Sequence, residues 1–170
     1  MNSLVIRNIL RFCLLLLLQV LVLDNVYLGG YVNSYLFVLF ILMLPNDMPK
    51  LSLLMLAFAA GLCIDVFSNM LGFHTAACTL VAFCRILFAD RILTRGEVAK
   101  ISMPSIYTVP PQQFIFYLLL LLFIYNFAFF ALEMFNFRDF WRILMSTLFS
   151  TLATGILSVV YQYIFLRKKQ

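Results

Sequence analysis

The stretch PKLSLLMLAFAAGLCIDVFSNMLGFHT, residues 49–75, contains the pattern that decides the fold. A long apolar run ends at the short link 68–70, and a second apolar run begins soon after it. Apolar runs of this length predict membrane-spanning helices, and so short a link predicts a tight antiparallel hairpin. Asp65 and His74 lie within these runs on either side of the link, so both are expected to face protein or water rather than lipid.

The whole chain has the composition of a membrane protein. Of its 170 residues, 65% are hydrophobic, 16% are aromatic and only 11% are charged, and the mean hydropathy is +1.05. Roughly a quarter of the residues of a typical soluble domain are charged, so a water-soluble fold is excluded. Because apolar runs take up most of the sequence, residues 1–170 are predicted to form a single transmembrane domain.

The apolar runs predict an all-α, polytopic integral membrane protein with about six transmembrane helices. The predicted helices cover residues 9–28, 31–44, 51–67, 71–89, 114–132 and 143–166. The second would cover about 21 Å of a ~30 Å hydrocarbon core, so it is expected to be tilted, short or partly re-entrant. The polar connection 90–113 is either an interfacial amphipathic helix in its first half or a solvated loop.

The basic residues predict the orientation in the membrane. When the predicted spans alternate, all of the 12 Lys and Arg residues except Arg138 and Arg142 fall on one side. By the positive-inside rule, both termini and the 90–113 connection are expected to be cytoplasmic. The basic residues lie at the ends of apolar runs and form no stripe with interleaved aromatics, so we expect no nucleic-acid partner.

The polar residues of the hairpin allow two interpretations. We expect a hydrogen bond between Asp65 and His74, with Gly61 and Gly72 permitting close backbone approach beside them. One interpretation is a proton- or ligand-binding pair. The favoured one is a buried polar latch that fixes the hairpin, because a proton-driven carrier needs a relay of ionisable residues across the membrane. Arg85, nearer a helix end, is also expected to face protein or water.

A stripe of small, mostly polar residues runs along one side of the last predicted helix at helical spacing. Such residues suit close packing between membrane helices and are more often part of a scaffold than of a binding site. The stripe consists of Ser146, Thr147, Ser150, Thr151, Thr154, Gly155 and Ser158.

The chain is not expected to be an enzyme. It contains no H-E-x-x-H, G-x-S-x-G, P-loop or G-x-G-x-x-G motif, and a single membrane Asp cannot form an aspartyl dyad. Its 4 cysteines have neither metal-ligand nor disulfide-framework spacing. We therefore expect no catalytic residue, no cofactor and no metal.

The hairpin motif resembles that of the MreD family of rod shape-determining proteins. The resemblance rests on Pro49, on LAFAAGLCID at 56–65 and on LGFHT at 71–75. That family has a proline-preceded helix with an A-F-x-x-G-L-x-x-D pattern, followed by a short L-G-x-H turn. The resemblance covers the whole chain in helix layout but only 49–83 in motif, and the Phe and Leu usage is similar to that of Bacteroidetes-like members.

The resemblance implies a multi-pass scaffold of the bacterial inner (plasma) membrane that is not a catalyst. Such a protein acts in the cell-elongation machinery, binds an MreC-like single-span membrane protein and helps to organise the peptidoglycan synthase complex. Membrane lipids are further expected partners, and self-association as a homo-oligomer is left open. The characteristic positions of the family would be Pro49, Gly61, Asp65, Gly72 and His74.

Two alternative functions remain. The MreD family is similar in fold to the S components of energy-coupling-factor transporters, which implies a substrate-binding S component of a vitamin or micronutrient transporter as the runner-up. A proton-coupled transporter is the third class, and it would require Asp65 to titrate in a water-filled path.

Overall fold

The computed structural model describes residues 2–21, 33–46, 48–93, 104–134 and 140–165. All regular secondary structure in these ranges is helical. The helices are α1 (Asn2–Leu21), α2 (Val38–Leu42), α3 (Lys50–Ser68), α4 (Phe73–Ile92), α5 (Pro111–Met134) and α6 (Phe140–Phe165). The last four pack in chain order, α3 on α4, α4 on α5 and α5 on α6.

Three of these helices, α3, α5 and α6, are long and apolar enough to cross a membrane. Two shorter apolar helical stretches accompany them in the described ranges, Leu10–Leu21 of α1 and Phe73–Ala89 of α4. The prediction of an all-helical membrane protein is confirmed at this level. Six complete spans, cytoplasmic termini and an S-component-like fold stay predictions.

Helices α3 to α6 begin and end within a few residues of their predicted bounds, because local chemistry marks those ends. Pro49 precedes the first turn of α3, a position where its fixed φ suits a helix start. Asn69 adopts a left-handed conformation with φ 54° and so terminates α3. The first helix differs more, since α1 begins at Asn2 rather than at residue 9 and the predicted part 22–28 lies outside the described residues.

The second predicted helix, 31–44, is the main departure from the sequence prediction. Its described part contains only the five-residue helix α2, preceded by non-helical backbone at 33–35. All five residues of α2 are buried. The segment is therefore enclosed by protein, and its apolar character reflects that position rather than contact with lipid, a distinction that a short apolar run does not make by itself.

The non-helical backbone before α2 obtains hydrogen bonds from the side chain of Gln19 on α1. The Gln19 amide donates to the Ser34 carbonyl at 2.9 Å, and its oxygen accepts from the Leu36 N–H, also at 2.9 Å. Backbone that is not helical is tolerated among membrane helices only where its polar groups are satisfied inside the protein. Gln19 provides the hydrogen-bond partners on one side of this segment.

The small polar stripe of α6 provides hydrogen-bond partners on the other side of the segment before α2. Ser150 Oγ accepts from the Asn33 N–H at 3.0 Å, and Thr154 Oγ1 accepts from the Tyr35 N–H at 3.1 Å. Both α6 side chains are buried, as are the other members of the stripe. The predicted close packing along this stripe is found, and part of its use is to hold a chain segment rather than another helix.

The predicted connection 90–113 is shorter in the structure. Helix α4 continues to Ile92 and α5 begins at Pro111, while residues 104–110 form turns. The choice between an interfacial helix and a solvated loop falls mostly on 94–103, which lie outside the described residues.

Candidate functional site

Asp65 caps the first turn of α4 from the neighbouring helix α3. Its carboxylate accepts from the His74 N–H at 3.0 Å, from the Thr75 N–H at 2.8 Å and from the Thr75 hydroxyl at 2.5 Å. The N-cap position of α4 is Gly72, which has no side chain to bond the free N–H groups of the first turn. Asp65 takes over that task and also places a negative charge at the positive end of the helix dipole.

The expected bond between Asp65 and His74 thus exists, but its donor is the backbone N–H of His74 and not the imidazole. The ring points elsewhere: its Nδ1 lies 2.5 Å from the hydroxyl oxygen of Tyr125 on α5. The carboxylate therefore joins α3 to α4, and the imidazole joins α4 to α5. This geometry fits the latch interpretation, in which buried polar groups fix the helix arrangement.

Aromatic side chains surround the His74 ring, which is buried. The centroid of Phe129 lies 4.5 Å from that of the imidazole in a stacked geometry, and Tyr35 and Phe37 meet it edge-on at 5.2 Å and 5.8 Å. Tyr125 stacks at 6.3 Å. Because Tyr35 and Phe37 belong to the segment around α2, the cluster ties that segment to α4 and α5.

Gly61 lies at a close approach of α3 and α4. A Cβ atom built on Gly61 would lie 2.6 Å from Thr75 Cα and 2.9 Å from both the His74 carbonyl oxygen and the Thr75 nitrogen. All three atoms are backbone, so no side-chain movement could make room. The predicted close approach at this glycine is found, one helical turn before Asp65.

Gly72 and Pro49 have conformational roles. Gly72 adopts φ +89°, a left-handed conformation that favours glycine, and a Cβ built there would have open space around it. The close approach expected near Gly72 is therefore not found. Pro49 directly precedes α3 and lies about 24 Å along the helix axis from Asp65. The structure therefore groups Gly61, Asp65, Gly72 and His74 near the link and leaves Pro49 at the opposite end.

Arg85 lies in the interior at the other end of the hairpin and is 1% exposed. Its Nε donates to the Tyr117 hydroxyl at 3.0 Å and its Nη1 to the Ile41 carbonyl at 2.9 Å. Its Nη2 donates to the Leu44 carbonyl and, at 3.0 Å, to Asn46 Oδ1. Arg85 therefore bonds carbonyls at and just after the end of α2, where a helix leaves acceptors without a full set of intrahelical donors.

A groove of about 950 Å³ lies between α3 and α4. Large apolar side chains of α3 form one wall, and the other wall carries small residues near the link, including Gly72 and Thr75, and the larger Leu80 and Phe83 further along α4. Asp65 also lines it. Asp65 and Gly72 of the hairpin motif thus lie directly beside this groove.

The described contacts of these residues are hydrogen bonds and contacts between helices. Within the described residues, no group of three His, Cys, Asp or Glu side chains lies close enough to hold a metal ion. No family model, curated protein or solved structure matches this chain.

Sequence reasoning missed the partners of the latch residues. Tyr125 lies 51 positions from His74, and nothing in the local pattern connects them. The available signal was general: a Tyr hydroxyl or a Gln amide within an apolar run needs a hydrogen-bond partner, which marks Tyr125 and Gln19 as residues that must face protein.

Replacing Asp65 with leucine should lower the free energy of unfolding by about 3 kcal/mol, because two backbone N–H groups and a hydroxyl lose their acceptor. Asp65→Asn should lower it by less, about 1–2 kcal/mol, since the single amide oxygen can still accept at one of the two oxygen positions while the NH2 group replaces the other acceptor. Thermal unfolding of both purified variants in detergent measures the difference. An Asn variant that is fully stable but does not function in the cell would instead assign a protonation role to Asp65.

Proposed function

We propose that this chain is a non-catalytic scaffold subunit of the bacterial inner membrane. It binds an MreC-like single-span protein and so helps to organise the peptidoglycan synthase complex during cell elongation. The observation behind this proposal is the groove of about 950 Å³ between α3 and α4. The groove is the docking site for the membrane-spanning helix of the partner.

The length of the groove suits a helix. Leu54, Phe58, Leu62 and Val66 line it at intervals of four residues along one face of α3. From Leu54 to Val66 this face extends about 18 Å, which is a little over three helical turns. Phe58, Leu62 and Val66 are 46%, 45% and 67% exposed, so the face is free to pack against another helix.

The chemistry of the other wall favours a helix over lipid. Gly72, just before α4, and Thr75, Ala76 and Thr79 of α4 line the part of the groove next to the link at spacings of three and four residues, and Leu80 and Phe83 line its far end. Small residues in this arrangement let two backbones approach closely and are typical of contacts between membrane helices. Contact with lipid tails requires no such row of small residues, because flexible tails adapt to large side chains as well as to small ones.

The motif residues build this surface. Asp65 and Gly72 line the groove, and Gly61 sets the distance between its two walls by its contact with Thr75. The positions that resemble the MreD family therefore support the shape of the proposed docking site. In this proposal the latch is not a separate function but the support that keeps the groove open.

Ala76→Trp should fill the groove and reduce co-purification of the partner at least tenfold, since the indole would occupy the space of a helix. Ala76 is exposed, so the substitution leaves the core intact. The control is Ile156→Trp, which places the same side chain at a 65% exposed position of α6, away from the groove. Tagged protein is purified from its native membrane in mild detergent, and the associated proteins are quantified by mass spectrometry.

The expected result is enrichment of MreC and cell-wall synthases with the unsubstituted protein and with Ile156→Trp, and their loss with Ala76→Trp. Equal recovery with all three proteins would remove the groove from the interface. Enrichment of a second copy of this chain alone would replace the single-span partner with self-association.

The second candidate function is a substrate-binding S component. The observation in its favour is that Asn126 Oδ1 and Ser34 Oγ are buried without a hydrogen-bond partner. Spare polar atoms in the interior suit a small polar ligand. Enrichment of energy-coupling-factor ATPase subunits in the same purification would favour this function over the scaffold.

A further inference from the structure

Arg85 is a buried cation whose described hydrogen bonds all end on neutral oxygens. The acceptors are the carbonyls of Ile41 and Leu44, the hydroxyl of Tyr117 and the amide oxygen of Asn46. A guanidinium stays charged in proteins, and neutral acceptors satisfy its N–H groups without cancelling that charge. A negative group beside Arg85 would therefore be stabilised strongly.

A small pocket of about 70 Å³ lies beside the Arg85 side chain. Asn46 and Lys50 line it together with Arg85, and Leu53 and Ile86 contribute apolar surface. Two cations and an amide thus converge on a volume that holds roughly two water molecules or one compact anionic group. The mixed lining also suits a ligand that is part polar and part apolar.

The position of the pocket indicates where such a ligand comes from. Lys50 is the first residue of α3 and Ala89, which also lines the pocket, lies in the last turn of α4, so the pocket lies at one end of the hairpin. An end of a membrane-spanning helix lies at the level of the lipid headgroups. Basic pockets between helices at that level bind the headgroups of anionic lipids.

We propose that the pocket formed by Asn46, Lys50 and Arg85 binds the phosphate group of an anionic phospholipid. The phosphate lies between the Lys50 ammonium and the Arg85 guanidinium, and Leu53 and Ile86 contact the apolar part of the lipid. The site is distinct from the groove between α3 and α4, because the two share no lining residue.

The experiment is native mass spectrometry of the full-length purified protein with phosphatidylglycerol or phosphatidylcholine added. Phosphatidylglycerol should bind more strongly than phosphatidylcholine. Lys50→Gln should weaken phosphatidylglycerol binding about fivefold, the effect expected for one basic residue at an anionic surface. Lys50 is exposed, so its loss leaves the fold intact. The matched control, Arg142→Gln, removes one exposed positive charge at the start of α6 and should leave binding unchanged.

Equal binding of the two lipids, or an equal effect of Lys50→Gln and Arg142→Gln, would overturn the proposal. A further arm adds inorganic phosphate in excess before the lipid. Persistence of the phosphatidylglycerol adduct is the expected result, because the lipid also makes apolar contacts. Complete displacement would assign the pocket to free phosphate and overturn its assignment to a lipid.

Discussion

Gly61→Ala should remove most of the folded protein from the membrane. The added methyl group would lie 2.6 Å from Thr75 Cα and 2.9 Å from two further backbone atoms, so α3 and α4 would have to separate. Overpacking of this kind costs about 3 kcal/mol when neighbouring backbone cannot move. Separation would also lengthen the hydrogen bonds of Asp65, which lies one turn further along α3.

Gly155→Ala is the matched control for this prediction. A Cβ at Gly155 would meet only the end of the Leu119 side chain, at 3.0 Å, and that side chain can rotate away. The variants are compared by their amount in the membrane and by the size-exclusion profile of the detergent-solubilised protein. Wild-type behaviour of Gly61→Ala, or equal losses for both variants, would show that the close approach of α3 and α4 does not determine folding.

Arg85→Met should destabilise the protein by roughly 3 kcal/mol or more. The substitution relieves the cost of burying a charge, but it removes a donor from the buried Leu44 carbonyl and one of the two donors of the buried Ile41 carbonyl. Helix α2 is a single turn and is too short to be stable by itself, so it depends on such contacts. The loss of the donors should therefore outweigh the relief.

Arg91→Met is the control, because Arg91 is an exposed arginine on the same helix. The thermal unfolding temperature in detergent should fall markedly for Arg85→Met and stay unchanged for Arg91→Met. Arg85→Lys should be intermediate, since an ammonium keeps the charge but cannot reproduce the planar fork that serves several acceptors. An Arg85→Met variant as stable as the unsubstituted protein would show that α2 is held by apolar packing alone.

The helices of the hairpin were predictable because their ends have local causes. Pro49 starts α3, Asn69 ends it with a left-handed conformation, and Gly72 opens α4 in the same way. The spacing of four residues between Gly61 and Asp65 also predicted that both lie on one face of α3. Signals of this kind are contained in a few consecutive residues.

A short second helix was among the expectations from the sequence, but the non-helical backbone before α2 was not predictable, because its conformation depends on distant side chains. An apolar run of that length favours a helix by composition, but hydrogen bonds from Gln19 and Thr154 hold its start in a non-helical form. The orientation of the His74 ring depends likewise on Tyr125, a residue of another helix. Contacts across such sequence separations leave no pattern in a single sequence.

Photocrosslinking from inside the groove tests the proposed scaffold function most directly. A photoreactive amino acid is placed at Ala76 in the groove or, as the comparison, at Ile156 on α6, and crosslinked proteins from native membranes are identified by mass spectrometry. The expected result is a crosslink from position 76 to the membrane-spanning helix of a single-span, MreC-like protein, with none from position 156. Crosslinks from position 76 to lipid alone would contradict the proposed function.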